Sequence, residues 1–150
     1  MKAVVQRVTE ASVSVDGESI GRIGNGMLVL LAVERGDDER ELALMIRKIA
    51  GLRLFADARG RMNLSIAQVG GAVLAISQFT LAADLVKGMR PSFDRAEEPV
   101  RASRLYDAFC QRLAEEGIPV ARGRFAADMR VHLVNDGPVT FVLDFPPSGA

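Results

Sequence analysis

The chain has 150 residues, 49% apolar and 25% charged, with Gly and Pro scattered rather than clustered; this is globular composition, long enough for one domain with a full core. Nineteen basic and nineteen acidic side chains cancel, so overall charge does not draw the protein onto nucleic acid, and any such binding must be local. A single cysteine, Cys110, excludes an internal disulfide; with a start too polar for a signal peptide and no stretch long enough to span a membrane, the expected compartment is the cytoplasm.

In chain order, "VVQRVTEASVSV" (4–15), where Val13 and Val15 alternate with Ser12 and Ser14, runs into Asp16-Gly17, the pattern of a half-buried strand entering a two-residue hairpin turn. "MLVLLAV" (27–33) and "AVLAI" (72–76) are continuously apolar and read as central strands covered on both faces. Between them a helix is expected over 37–50, with Leu42, Met45, Ile46 and Ile49 on one face, Asp38 and Glu41 as a capping box and Gly51 just past its end. "LRLF" (52–55) and "MNLS" (62–65) read as short strands around the turn "ADARG". A second helix is expected from Pro99 to Glu116, burying Ala102, Leu105, Tyr106, Phe109 and Leu113 and stopping at Gly117. "MRVHLVN" and "TFVLDF" read as two more strands with "NDGPVT" as a loop, and the tail "PPSGA" as frayed. Strands outnumber helices, so the fold class is α+β: a layered arrangement with a curved, barrel-like sheet and helices on one side.

The usual chemical constellations are missing. Structural zinc wants about four Cys or His ligands, and the chain has one Cys and His132, so no metal site is assigned. There is no G-x-S-x-G turn and no phosphate-binding glycine pattern, and no cofactor is implied. His132 lies opposite Val131 and Leu133 in the alternation of its strand, with only its uniqueness to favour a dyad with Thr80. Sixteen of the nineteen basic residues are arginine; this suits phosphate recognition, but compositional bias is the better explanation. Arg47, Arg53, Arg101, Arg104, Arg122 and Arg124 are the candidates for contact with a nucleic-acid backbone.

Two stretches are left over: "SQFTLAAD" (77–84), where an apolar strand meets Ser77, Gln78 and Thr80 around Phe79, and "NDGPVT" (135–140). Together with "QRV" (6–8), "KGMRPSF" (87–93) and "GRFAADM" (123–129), in this order and spacing, they closely resemble the D-aminoacyl-tRNA deacylases over essentially the whole chain. The resemblance implies a single domain over 1–150 that hydrolyses the ester joining a D-amino acid, or glycine, to the terminal adenosine of tRNA. It further implies a homodimer whose active site lies at the subunit boundary, with aminoacyl-tRNA as its partner.

By the same resemblance, Ser77, Gln78, Phe79 and Thr80 form the catalytic segment, with the amides of Phe79 and Thr80 facing the scissile carbonyl and Phe79 packing in support. Thr80 is the tempting nucleophile, but its hydroxyl has no evident base; water attack assisted by the ribose 2′-hydroxyl is the more economical route. The Gly137–Pro138 bond is implied to be cis, with both carbonyls accepting from the substrate's α-ammonium inside the neighbouring subunit's site. Arg7 would brace that loop, and Phe125 and Met129 would line the adenosine pocket.

Overall fold

A computed structural model describes residues 1–149. The first 32 residues make one long bent hairpin. Strand β1 (Lys2–Val15) turns at Asp16-Gly17, both at positive φ, into β2 (Glu18–Ile23), and the chain continues as β3 (Gly26–Ala32). β2 pairs with the distal half of β1 and β3 with its proximal half. The other edge of β1 is taken along nearly its whole length by the last strand.

Two parallel strands extend the sheet on the far side of β3, giving the order β2-β1-β3-β6-β7, with β6 spanning Ala72–Ser77 and β7 Val120–Arg122. Parallel neighbours need long crossovers. The first contains helix α1 (Glu39–Gly51) and the small ribbon β4 (Phe55–Ala56) and β5 (Met62–Leu64); the second contains α2 (Pro99–Glu115). Both helices pack on the same sheet face, where Leu42, Met45, Ile49, Phe109 and Leu113 meet Ala3, Val5, Val29, Leu31 and Val73. On the other face the hairpin's distal half curls over the sheet and buries Val8, Val13, Ile23, Leu28, Leu74 and Ile76. The curl almost closes a barrel: a Cβ on Gly21 would stand 2.9 Å from the Arg122 carbonyl oxygen, so only glycine lets β2 approach β7 this closely. The expected α+β class with a barrel-like sheet and helices on one side is the one observed.

The capping box of α1 forms as expected: Asp38 accepts from the Arg40 amide, and Glu41 accepts from the Asp38 amide at 3.0 Å. The expected glycine stop does not. Gly51 is still helical and lacks positive φ, and Leu52 is the cap, because the chain leaves extended rather than through a left-handed turn. "LRLF" is correspondingly strand only from Phe55 onward. Helix α2 begins at Pro99 as expected, with Glu98 capping its first amides, and Gly117 at φ 84° ends it.

Near the chain's end the expected pair of strands is one strand, β8 (Arg130–Asp144). Its pairing with β1 jumps from Val8↔Asn135 to Gln6↔Thr140, so Asp136–Val139 bulge out of a ladder that continues on either side. The tail is not frayed as far as Ser148, whose hydroxyl donates to Glu41 at 3.0 Å and accepts from Arg40 at 2.8 Å. Tail docking is therefore tied to a buried carboxylate.

Burial by itself would raise the Glu41 carboxyl, but hydrogen bonds from the Asp38 amide and the Ser148 hydroxyl hold it at about 2 against an ordinary 4.5. With the folded pKa below the unfolded one, the stabilisation is complete above about pH 4.5 and is lost as the pH falls towards 2. The stability difference between wild type and Glu41→Gln, measured by urea unfolding, should accordingly shrink across that range, and a difference independent of pH would refute the assignment.

Candidate active site

Strand β6 loses its neighbour where it ends. Leu31 pairs with Ser77, and the Gln78 amide donates to the Leu31 carbonyl at 2.7 Å as the last rung. Beyond it, the edge of β3 passes to residues 95–97: the Glu97 amide donates to Val33 and the Arg35 amide to Arg95. The chain leaving β6 turns into one 3₁₀ turn, Phe79–Ala82, rather than prolonging the strand. The first amides of such a turn precede any carbonyl that could accept from them within it. Among the described residues none accepts from the Phe79 or Thr80 amide.

The divergence of β6 from β3 opens a cleft of about 450 Å³ at the carboxyl ends of the parallel strands, lined by Ile76, Ser77, Gln78 and Phe79 on one side and by Phe125, Ala127 and Met129 on another. This is where open parallel sheets place ligand sites. The wall after β7 is set by backbone constraints. Gly123 donates its amide to the Ala75 carbonyl at 3.0 Å, and a Cβ there would stand 2.8 Å from the Met129 sulfur and 2.9 Å from Ile76. Ala126, which also lines the cleft, has φ 62°, an unusual left-handed position for a residue other than glycine. Behind the wall the buried Tyr106 hydroxyl donates to the same Ala75 carbonyl at 2.7 Å, and its ring lies 6.3 Å from that of Phe125. Burial pushes the Tyr106 pKa well up, so it stays a donor at any ordinary pH.

Five expected site residues, Ser77, Gln78, Phe79, Phe125 and Met129, thus share one cleft. Phe79 does not support the turn by core packing as expected: the residue is 56% exposed and its ring rests edge-on against Phe93 at 5.1 Å. The turn is held instead by the Gln78–Leu31 rung and by Gln78 Nε2, which donates to Thr80 Oγ1 at 2.6 Å. No imidazole, amine or carboxylate among the described residues hydrogen-bonds that hydroxyl, and His132 sits exposed on β8 beside Glu10 and Arg22, outside the cleft. Two of the candidate arginines are already paired: Arg101 with Glu97 and Arg122 with Asp107.

Glu97 is a cleft residue that sequence reasoning missed. Burial would raise its pKa, but the Glu98 amide and the Arg101 guanidinium hold it below the usual carboxylate range, so it presents a fixed negative charge. Its only local sign was its place ahead of Pro99, which reads equally as an exposed helix start.

Gly137, Pro138 and Arg7 are not in this cleft; they lie together at the β8 bulge. The Gly137–Pro138 peptide is cis, both residues are exposed, and Gly137 has φ 143°. A Cβ on Gly137 would meet Val139 at 2.6 Å. Asn135 ties the bulge from inside, accepting from the Val139 amide at 2.7 Å and donating to Thr140 at 2.9 Å. Arg7 Nε donates to the Asp136 carbonyl at 3.0 Å while its Nη1 donates to the Leu54 carbonyl at 2.7 Å. One planar guanidinium thus spans the bulge and the chain entering β4, a bridge that a single ammonium cannot reproduce.

The family model described as D-Tyr-tRNA(Tyr) deacylase matches residues 4–144. The chain belongs to this family. It is 60% identical over 144 residues to the D-aminoacyl-tRNA deacylase of Geobacter sulfurreducens, covering 96% of this chain and 95% of that one. It is also 60% identical over 148 residues to the protein of the same name from Magnetococcus marinus, with 98% of each chain covered. Among solved structures, the c-Myc DNA Unwinding Element Binding Protein superposes with a TM-score of 0.93 at 44% identity, covering 97% of this chain and 99% of that one. A probable eukaryotic D-amino acid tRNA deacylase superposes at 0.80 with 18% identity, over 96% and 98% of the two chains, and shares the fold.

Removing Arg7 leaves two backbone carbonyls without a charged donor, one of them on the buried Leu54. Arg7→Ala should cost about 1.5–3 kcal/mol in urea unfolding, and Arg7→Lys should recover less than half of it. A fully stable Arg7→Lys protein would show that the fork geometry is unimportant.

Proposed function

We propose that the protein is a D-aminoacyl-tRNA deacylase, an ester hydrolase that proofreads chirality at the 3′ end of charged tRNA. The observation that carries this reading is the pair of acceptor-free amides, Phe79 and Thr80, at the head of a turn on the rim of an apolar cleft, in a chain of this family. Fixed N–H groups stabilise the oxyanion that forms when an ester carbonyl is attacked, and a single such donor is worth roughly 10²–10³ in rate. The donors are oriented before substrate arrives, because the Gln78–Leu31 rung and the Gln78–Thr80 bond fix the turn. Phe125 and Met129 offer an aromatic and a thioether face for the terminal adenine.

In this mechanism water is the nucleophile, assisted by the 2′-hydroxyl of the terminal ribose, and the ester oxygen leaves on the tRNA while the D-amino acid is released. Thr80 serves position rather than attack, since its hydroxyl already accepts from Gln78 and has no base beside it. The substrate's α-ammonium is held by the Gly137 and Pro138 carbonyls of a second copy. A homodimer is supported by the absence of both residues from the cleft lining of their own chain, and by Val134, Phe141 and Val142, which β8 leaves 49%, 40% and 73% exposed. With ammonium and carbonyl both held, an L side chain points into protein backbone where hydrogen fits. D-amino acids and glycine therefore enter, and selection works by exclusion rather than by a matched pocket. Such a substrate places the enzyme in the cytoplasm; no helix among the described residues is long and apolar enough to cross a membrane.

Purified protein with chelator present should release D-tyrosine from D-tyrosyl-tRNA and leave L-tyrosyl-tRNA intact; inactivity on both esters would overturn the proposal, and cleavage of the L-ester would overturn its chirality. Thr80→Ala should keep measurable D-selective turnover, whereas a trapped acyl-enzyme on the wild type would make Thr80 the nucleophile. His132→Ala should be nearly neutral, and a loss on the order of 10²–10⁴, the size expected for a missing general base, would reinstate the histidine.

A further inference from the structure

In the chain between the 3₁₀ turn and α2, the stretch Asp84–Ser92 stays outside the cleft lining described above, yet it is built as a feature rather than left slack. Asp84 and Ser92 exchange backbone hydrogen bonds at 2.8 and 3.0 Å, closing its base, and Asp84 Oδ1 accepts from the Val86 amide at 2.9 Å. Gly88, at φ 69°, turns the tip. On this closed loop Leu85 is 69%, Val86 88% and Met89 99% exposed. A defined loop that holds apolar groups out in water carries a solvation cost, and such a patch commonly marks a contact surface.

The flanking charges narrow the class of partner. Lys87 and Arg90 are exposed, and neither forms an ion pair with a carboxylate among the described residues. In a chain whose net charge is zero, Arg7, Arg40, Arg95, Arg101, Arg112 and Arg122 are by contrast each within reach of a carboxylate. Two free cations interleaved with exposed apolar side chains, Leu85, Val86 and Met89, match single-stranded nucleic acid, whose phosphates and base faces alternate along one strand. The loop is also coupled to the cleft, because Phe93 beyond its tip packs edge-on against Phe79 at 5.1 Å, and Phe79 carries one of the two free amides.

We infer that the 85–91 loop seats the unpaired nucleotides that precede the terminal adenosine, with Val86 and Met89 against base faces and Lys87 and Arg90 on phosphates. This rests on the deacylase reading and adds to it a specific RNA subsite: a strand whose last nucleotide enters the cleft passes over the loop beside its rim. The loop then selects charged tRNA over a free aminoacyl ester without touching the reacting atoms. It contributes to binding and leaves the chemical step alone.

The test compares wild type, Lys87→Ala/Arg90→Ala and Met89→Ser on two substrates, D-tyrosyl-tRNA and the minimal ester D-tyrosyl-adenosine. Each variant should raise KM for the tRNA about tenfold, the scale of one lost base or phosphate contact, with kcat and all activity on D-tyrosyl-adenosine unchanged. The double charge variant should also lower the slope of log Kd against log salt for uncharged tRNA by about 1.4, since each single-strand phosphate contact contributes roughly 0.7. Equal losses on both substrates would overturn the inference by making the loop part of the chemical site. Unchanged behaviour on both would overturn it directly, and variants that sediment as monomers where wild type is a dimer would reassign the loop to a subunit contact. The uncharged-tRNA measurement needs no turnover, so a wild type inactive on both esters would sink the deacylase reading while the binding slope still decides the loop.

Discussion

The arrangement of the cleft follows from one event in the sheet: β6 gives up its pairing with β3 after Ser77. Parallel strands share a ladder only while both stay extended, and here the edge of β3 passes to residues 95–97. The departing chain must satisfy its own backbone, and a single 3₁₀ turn does so for its carbonyls and later amides. The first two amides are left over. In a buried loop that would be a cost of about 1–3 kcal/mol each; at the rim of an open cleft it is tolerable, and it supplies donors of fixed direction. Free hydrogen-bonding capacity at this position is a product of topology, not of any reactive side chain.

The supports around that event are mostly backbone contacts made possible by small residues. Gly21 lets β2 close over β7, and Gly123 lets the wall after β7 lie against Ile76 and Met129. Tyr106 and Gly123 both donate to the Ala75 carbonyl, two residues before Ser77. Helix α2, the end of β6 and the Phe125 wall are therefore one mechanical unit. The β8 bulge is a separate unit, gathered by Asn135 from within and by Arg7 from β1, with the second hand of Arg7 on the chain entering β4. Each half of the proposed site is tied by its own hydrogen bonds, which suits a site completed by bringing two copies together.

Electrostatics act locally in a chain of zero net charge. Arg101, Arg112 and Arg122 are held by Glu97, Glu39 and Asp107, so a count of arginines says little about where a polyanion would bind. Exposed pairs of this kind contribute little to stability, but they remove cations from the free surface. What stays available is decided by which residues the fold leaves without a carboxylate neighbour. Arg47, Arg53, Arg104 and Arg124 also form no ion pair among the described residues; Lys87 and Arg90 are set apart by standing next to exposed apolar side chains on a closed loop.

Much of the fold is legible in the sequence. Period-2 alternation and Asp16-Gly17 specify the hairpin, continuous apolar runs specify β3 and β6, and Asp38 with Glu41 specifies the start of α1, because each signal lies within a few residues and reflects the local geometry of strand, turn or helix. The family is legible too, from the order and spacing of short motifs. The tertiary structure alone decided that "MRVHLVN" and "TFVLDF" are one strand with a bulge, that the tail docks on Glu41, that Phe79 faces Phe93 rather than the core, and that Glu97 joins the cleft. It alone put Gly137 and Pro138 apart from the residues they are proposed to serve. All of these depend on partners tens of residues away, where sequence periodicity carries no information: a backbone group's fate is set by which distant strand arrives beside it.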